Sequence, residues 1–219
     1  MVDGAKDAKP IIVCPLRFEA AALRRAGLAQ SCDLVCSGPG EQGIHAWGES
    51  ANIPAGRKVL LAGLAGGLTA RCGKGRAFAA SCIVMRGGER ATPFLTDEES
   101  RSAIIATSPQ VLASREEKAA FARTTGADLV DQESEAFAIL AAHRGWMWGV
   151  VRGVSDDMGT SLPVGLETWV NECGGTRVMR VAMSLLSGAV SLREVRRLGA
   201  DSREAMAAVA ERLCCLLEC

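Results

Sequence analysis

Short apolar runs alternate with stretches of helical spacing along the chain, the habit of an α/β domain whose central sheet is buried on both faces. Pro10-Ile-Ile-Val-Cys14 reads as a first strand, and Phe18 to Gly27 as a helix ended by its glycine. Asp33-Leu-Val-Cys-Ser37 and Lys58-Val-Leu-Leu-Ala62 read as the next two strands, each running into a glycine-rich turn. Arg76 to Arg86 has the pattern of a longer strand with a turn at Gly87-Gly88, and Ala103-Ile-Ile-Ala-Thr107 that of another. Ser114 to Thr125 is helical by its Ala, Glu and Lys content, Ala127-Asp-Leu-Val130 extended, Gln132 to His143 helical, Trp146 to Arg152 a strand, and Leu166 to Leu186 mostly helix. A final helix over Asp201 to Leu217, with Asp201 as its N-cap, closes the chain. No repeat or low-complexity linker divides these elements, so a single domain over residues 1–219 is expected, with 1–9 flexible and 191–219 a C-terminal helical extension.

Composition narrows the ligand more than the fold. The 25 Lys and Arg balance 25 Asp and Glu, so no global positive field exists to hold a polyanion. With no tyrosine and aromatics at 4%, few platforms remain for stacking successive bases. Nucleic-acid binding is therefore disfavoured and a small molecule favoured. Nine cysteines without a C-x-x-C pair, and His45 and His143 as the two histidines, spell out neither a disulfide framework nor a zinc site; reduced thiols and no metal are expected. The N-terminus is too polar and acidic for a signal peptide, and no apolar run approaches the ~18–20 residues that span a bilayer, which makes the cytoplasm the expected location.

Ligands of open α/β sheets collect at the carboxyl ends of strands, where loops converge and helix N-termini present bare N–H groups. Gly38-Pro-Gly40-Glu-Gln-Gly43 formally matches the dinucleotide fingerprint, but it follows the second strand, Pro39 stiffens it, and no acid near Ala62 stands ready for a ribose; no nicotinamide or flavin cofactor is expected. Gly63-Leu-Ala-Gly66-Gly67-Leu68 lets a backbone lie against a flat ligand, although a tight packing turn would look the same. Asp131-Gln-Glu133-Ser134 stands where a strand becomes a helix, a place where Asp131 as N-cap and Glu133 in the first turn are also ordinary. Val150-Val-Arg-Gly-Val-Ser155-Asp156-Asp157 ends a strand in an acid pair that solvation alone would explain.

Taken in order, these segments resemble the purine nucleoside phosphorylase and methylthioadenosine/S-adenosylhomocysteine nucleosidase superfamily. Ile11-Ile-Val-Cys-Pro-Leu-Arg-Phe-Glu19 is similar to that family's first strand and following acid, and Ser37-Gly-Pro-Gly40 to its second-strand turn, so the resemblance spans about residues 10 to 160. It implies a three-layer αβα phosphorylase/hydrolase-like domain, a central mixed sheet flanked by helices. It also implies N-glycosidic cleavage of an adenine nucleoside: Asp156 as the acid protonating the base, with Asp157 a bystander; Glu133 holding the ribose hydroxyls; Glu19 activating water. Gln132, Leu64, Ala65, Gly66 and Ser155 would line the substrate site. No cofactor is implied, with phosphate the alternative co-substrate. The chain departs from phosphorolytic members at Pro15 and Leu16, and at Leu64 before Ala-Gly-Gly, where those members carry phosphate donors; Arg17 or Arg86 could replace them. Retention of Glu19 leans the reading towards water.

Leu162-Pro163, Trp169, Gly174-Gly175 and the Arg-rich stretch after Leu192 resemble the hopanoid-associated phosphorylase branch, whose implied reaction removes adenine from adenosylhopane. A lipid-linked substrate would suit apolar stripes through Leu192, Val195, Leu198, Met206, Val209, Leu213, Leu216 and Leu217 with Arg193, Arg196, Arg197, Arg203 and Arg212 beside them, a composition for peripheral contact with an anionic membrane. Packing of these helices on the domain or on a second subunit is the plainer alternative. A nucleosidase for soluble methylthioadenosine or S-adenosylhomocysteine, and a non-catalytic nucleoside-binding protein, are the competing functions. The family resemblance further implies a homodimer.

Overall fold

The computed structural model describes residues 8–163, 171–176 and 191–218. Among them, eight strands form one mixed sheet: β1 (Ile11–Cys14), β2 (Asp33–Cys36), β3 (Lys58–Gly67), β4 (Ala77–Val84), β5 (Arg90–Ala91), β6 (Ser102–Thr107), β7 (Leu129–Asp131) and β8 (Met147–Asp156). The helices are α1 (Arg17–Arg25), α2 (Gly40–Ser50), α3 (Arg115–Thr125), α4 (Ser134–Arg144) and α5 (Leu192–Leu217). The expected α/β class and mixed central sheet are observed.

The sheet is not a flat layer. β3 pairs parallel with β8, β8 antiparallel with β4, β4 parallel with β6, β6 parallel with β7, and β7 antiparallel with β3, which closes a ring of strands. β1 and β2 extend outward from β3, and β5 hangs on β4. β3 serves the open and closed parts at once because its register with β8 shifts at Ala65/Gly66, a bulge placed where small residues let the strand bend. This corrects the reading of 63–68 as a turn: the strand continues through Gly67, and its glycines bend it rather than end it.

Period-2 alternation buries both faces. Val13, Leu61, Phe78, Ile105 and Trp148 pack with Ile44 of α2 and Phe137 of α4. Ile12, Leu60 and Val151 face the other way, onto Leu23 of α1 and Met206, Val209 and Leu213 of α5.

Two helices depart from the sequence reading. α2 grows out of what looked like a glycine-rich turn; Gly48 lies so close to α4 that an added Cβ would stand 2.6 Å from Leu140 Cδ2, so packing overrides a weak propensity. α5 begins at Leu192, capped by Ser191 and Glu194, and runs unbroken through Gly199; Asp201 is not its cap but pairs with Lys74 at 3.5 Å. From Met206 onward the apolar stripe of α5 is spent on the second core, as the plainer alternative had it, while Leu192, Arg193, Arg196 and Arg197 stay exposed. No described helix is long and apolar enough to cross a membrane. Residues 1–7 and the expected helix over 166–186, apart from 171–176, lie outside the described residues, Trp169 among them.

Candidate active site

Chain segments far apart in sequence meet because they leave one rim of the sheet. Glu19 sits in the first turn of α1, just after β1, and its carboxylate accepts from Leu16 N (2.8 Å) and from Leu64 N of β3 (2.9 Å). β7 runs against β3 at its carboxyl end, with Val130 opposite Gly66, which delivers Gln132 and Glu133 to the same rim. β8 runs alongside β3, with Asp156 opposite Gly66. The result is a cavity of about 390 Å³ lined by Glu19, Leu64, Ala65, Gly66, Gln132, Glu133, Ser155 and Asp156. Every residue assigned to the catalytic or substrate site lines it. Asp157 does not; it closes the 157–160 turn, and the hydroxyl of Thr160 at 2.7 Å holds its carboxyl below the usual range.

Neither expected phosphate ligand reaches this cavity. Arg17 donates its Nε to Cys173 O at the surface (3.1 Å), and Arg86 is engaged by Glu135 (3.0 Å) and Glu41 (2.6 Å). Both guanidiniums are claimed by local partners, an outcome that residue type alone does not reveal.

Behind the cavity wall lies a charge cluster. Arg152 of β8 is 0% exposed; its Nε donates to Asp131 (2.7 Å) and its Nη2 to Glu133 (2.9 Å). Asp131 also accepts from Thr107, from Ser134 Oγ and from Ser134 N, so it fixes the start of α4 from outside the helix, and Glu133, not Asp131, occupies the N-cap position. Glu133 Oε1 accepts from Gly40 N (2.8 Å). Arg152 Nη1 is buried without a hydrogen-bond partner among the described residues. One guanidinium thus faces Asp131, Glu133 and Glu19, too little positive charge for three buried carboxylates. Burial pushes Glu19 up to about 7 despite the pull of Arg152, and pushes Glu133 up as well, with Asp131 adding to the rise.

Gly63 holds this arrangement open. A Cβ there would stand 2.7 Å from Glu19 Oε1 and 2.8 Å from Arg152 Nη1. Gly63→Ala is expected to displace both groups and cost about 1–3 kcal/mol of stability by overpacking. Chemical denaturation measures it, and a variant as stable as the parent would contradict this placement.

Asp156, opposite Gly66 on β8, is held on both oxygens. Ser155 Oγ donates to Oδ1 (2.9 Å), and Lys118 Nζ of α3 lies 2.5 Å from Oδ2. Lys118 also lines the cavity. Sequence reasoning did not single out Arg152 or Lys118. Arg152 left a trace, a charge inside an apolar strand, which is tolerable only if paired. Lys118 left none, since Arg115-Glu-Glu-Lys118 reads as an ordinary solvated helix start.

Residues 90–187 match the sequence model of the Phosphorylase superfamily. The fold is similar to that of solved nucleosidases. Futalosine hydrolase of Helicobacter pylori superposes with a TM-score of 0.67 at 13% identity, covering 97% of this chain and 98% of that one. The 5′-methylthioadenosine/S-adenosylhomocysteine nucleosidase of Helicobacter pylori gives 0.66 at 12% identity over 97% and 98%. The corresponding nucleosidase of Colwellia psychrerythraea, solved in complex with adenine, gives 0.66 at 14% over 97% and 96%. No curated protein sequence is matched. At such identities the likeness is one of fold, and the chemistry must come from the residues above.

Proposed function

We propose that this protein cleaves the N-ribosyl bond of an adenine nucleoside and releases the base, with water as the nucleophile. The observation that carries this reading is the sharing of one cavity by Glu19, Glu133 and Asp156. Bond cleavage builds negative charge on the base and positive charge on the sugar. Asp156, in the cavity wall, is the acid we assign to protonating the departing base. Glu133, tied to Gly40 N and Arg152, keeps lone pairs for ribose hydroxyls and favours cationic character at the anomeric carbon. Glu19 is a base poised near neutrality by its burial, suited to taking a proton from water.

Water is favoured over phosphate because Leu16 and Leu64 face the cavity beside Glu19, where a phosphate would need hydroxyl or guanidinium donors, and Arg17 and Arg86 are occupied elsewhere. The finer substrate proposal is adenosylhopane. Leu16, Pro39, Val111, Leu112 and Leu162 give the cavity apolar walls suited to a hydrocarbon substituent. The exposed start of α5, with Leu192, Arg193, Arg196 and Arg197, is the surface we assign to contact with the membrane holding such a lipid. A homodimer belongs to the same proposal, and light scattering reads it directly.

Incubation with adenosine, methylthioadenosine, S-adenosylhomocysteine and adenosylhopane, with and without phosphate, tests the whole. Free adenine without phosphate is the expected result, fastest from adenosylhopane. Strict dependence on phosphate overturns the hydrolytic reading, preference for methylthioadenosine overturns the hopanoid one, and binding without release overturns catalysis.

A further inference from the structure

Lys118 is 1% exposed, yet it belongs to a helix whose neighbouring charges are solvated. Each of its ammonium hydrogens has an acceptor: Asp156 Oδ2 at 2.5 Å, Asp157 O at 2.9 Å and Thr160 O at 3.0 Å. These partners lie on the last residue of β8 and on the turn that follows it, so one side chain of α3 pins the end of that strand and the turn behind it. Burying an ammonium and a carboxylate together is a poor route to stability, since a well-packed apolar pair of similar volume does as well or better. The pair stands in the cavity wall, beside the acid to which base protonation is assigned.

We infer that Lys118 is a positioning residue for base departure, fixing the Asp156 carboxyl against the base and compensating the negative charge left there when its proton goes. The inference rests on the proposed nucleosidase reading. In the step concerned, the Asp156 O–H bond breaks as N7–H forms, and the C1′–N9 electron pair passes to the base. The water oxygen bonds C1′, and its proton goes to Glu19. The carboxylate so formed lies 2.5 Å from the Lys118 ammonium. Ser155, on the other oxygen, completes the restraint.

The test is a double-mutant cycle between Lys118→Met and Asp156→Asn, read on adenine release under saturating and limiting substrate. In the parent, Lys118→Met is expected to lower kcat ~10²-fold with little change in KM, the lower end of what general acid assistance contributes. In the Asp156→Asn background the same change should cost almost nothing, because the charge it compensates no longer forms. Equal losses in both backgrounds, or no loss in the parent, overturn the inference. Lys118→Arg, which keeps the charge but displaces the donors, covers misfolding of the methionine variant: a fall in kcat without a rise in KM supports the positioning role, and parent rates overturn it. A parent that releases no base from any nucleoside defeats the nucleosidase reading first and this one with it, whereas an active parent with an additive cycle defeats this one alone.

Discussion

Asp156→Asn is expected to lower adenine release ~10²–10⁴-fold while the variant still folds and still binds nucleoside. An amide cannot deliver a proton to N7, so the base must depart as an anion. The fold should survive because asparagine keeps an oxygen within reach of Lys118 and retains the shape that meets Ser155, although the ammonium loses its counter-charge. Calorimetric binding alongside the rate separates the two effects. A variant turning over like the parent would remove Asp156 from the chemistry.

Glu19→Gln should change two observables at once. Glu19 has its carboxyl raised from 4.5 to about 7, so the folded protein retains a proton that the unfolded chain has already lost between those values. The group's contribution to stability is complete below pH 4.5 and is lost as pH rises to about 7, a fall of about 3 kcal/mol for a group buried this deeply. Hydrolysis needs the ionised form, so parent turnover should climb with pH through about 7 as that stability declines. The glutamine variant should lose ~10²–10⁴-fold in rate and also lose this pH slope of stability. Its amide nitrogen will face either Leu16 N or Leu64 N, donor against donor, which offsets part of the gain above neutrality. Denaturation midpoints from pH 4 to 9 give the slope; a slope unchanged by the substitution would assign the titration to another group.

What the sequence disclosed, and what it hid, follows from the range of the interactions involved. Strands such as Pro10–Cys14 and Ala103–Thr107 announce themselves because burial on both faces needs unbroken apolar runs, a local property. Glu19, Glu133 and Asp156 were legible through the order of short motifs around them. The pairing of Lys118 with Asp156, 38 residues apart, depends on where α3 lands and has no local signature. The same holds for the extension of β3 through Gly67 and for α2, whose existence owes more to the seat of Gly48 on Leu140 than to its own residues. Arg17 and Arg86 show the converse: the right chemistry in the chain, committed elsewhere by tertiary partners.

The closed ring of strands also bears on how copies of this protein behave when crowded. A strand in a ring presents no unpaired row of backbone groups to a neighbouring molecule. Among the described residues, β2 has β1 as its one partner and β5, at two residues, is too short to template anything. Among the described residues the outermost strand of the open part is thus β2, four residues long and opened by a charged aspartate, Asp33. The described strands that carry the cavity rim, paired with one another there, are thereby withheld from strand addition by a second copy.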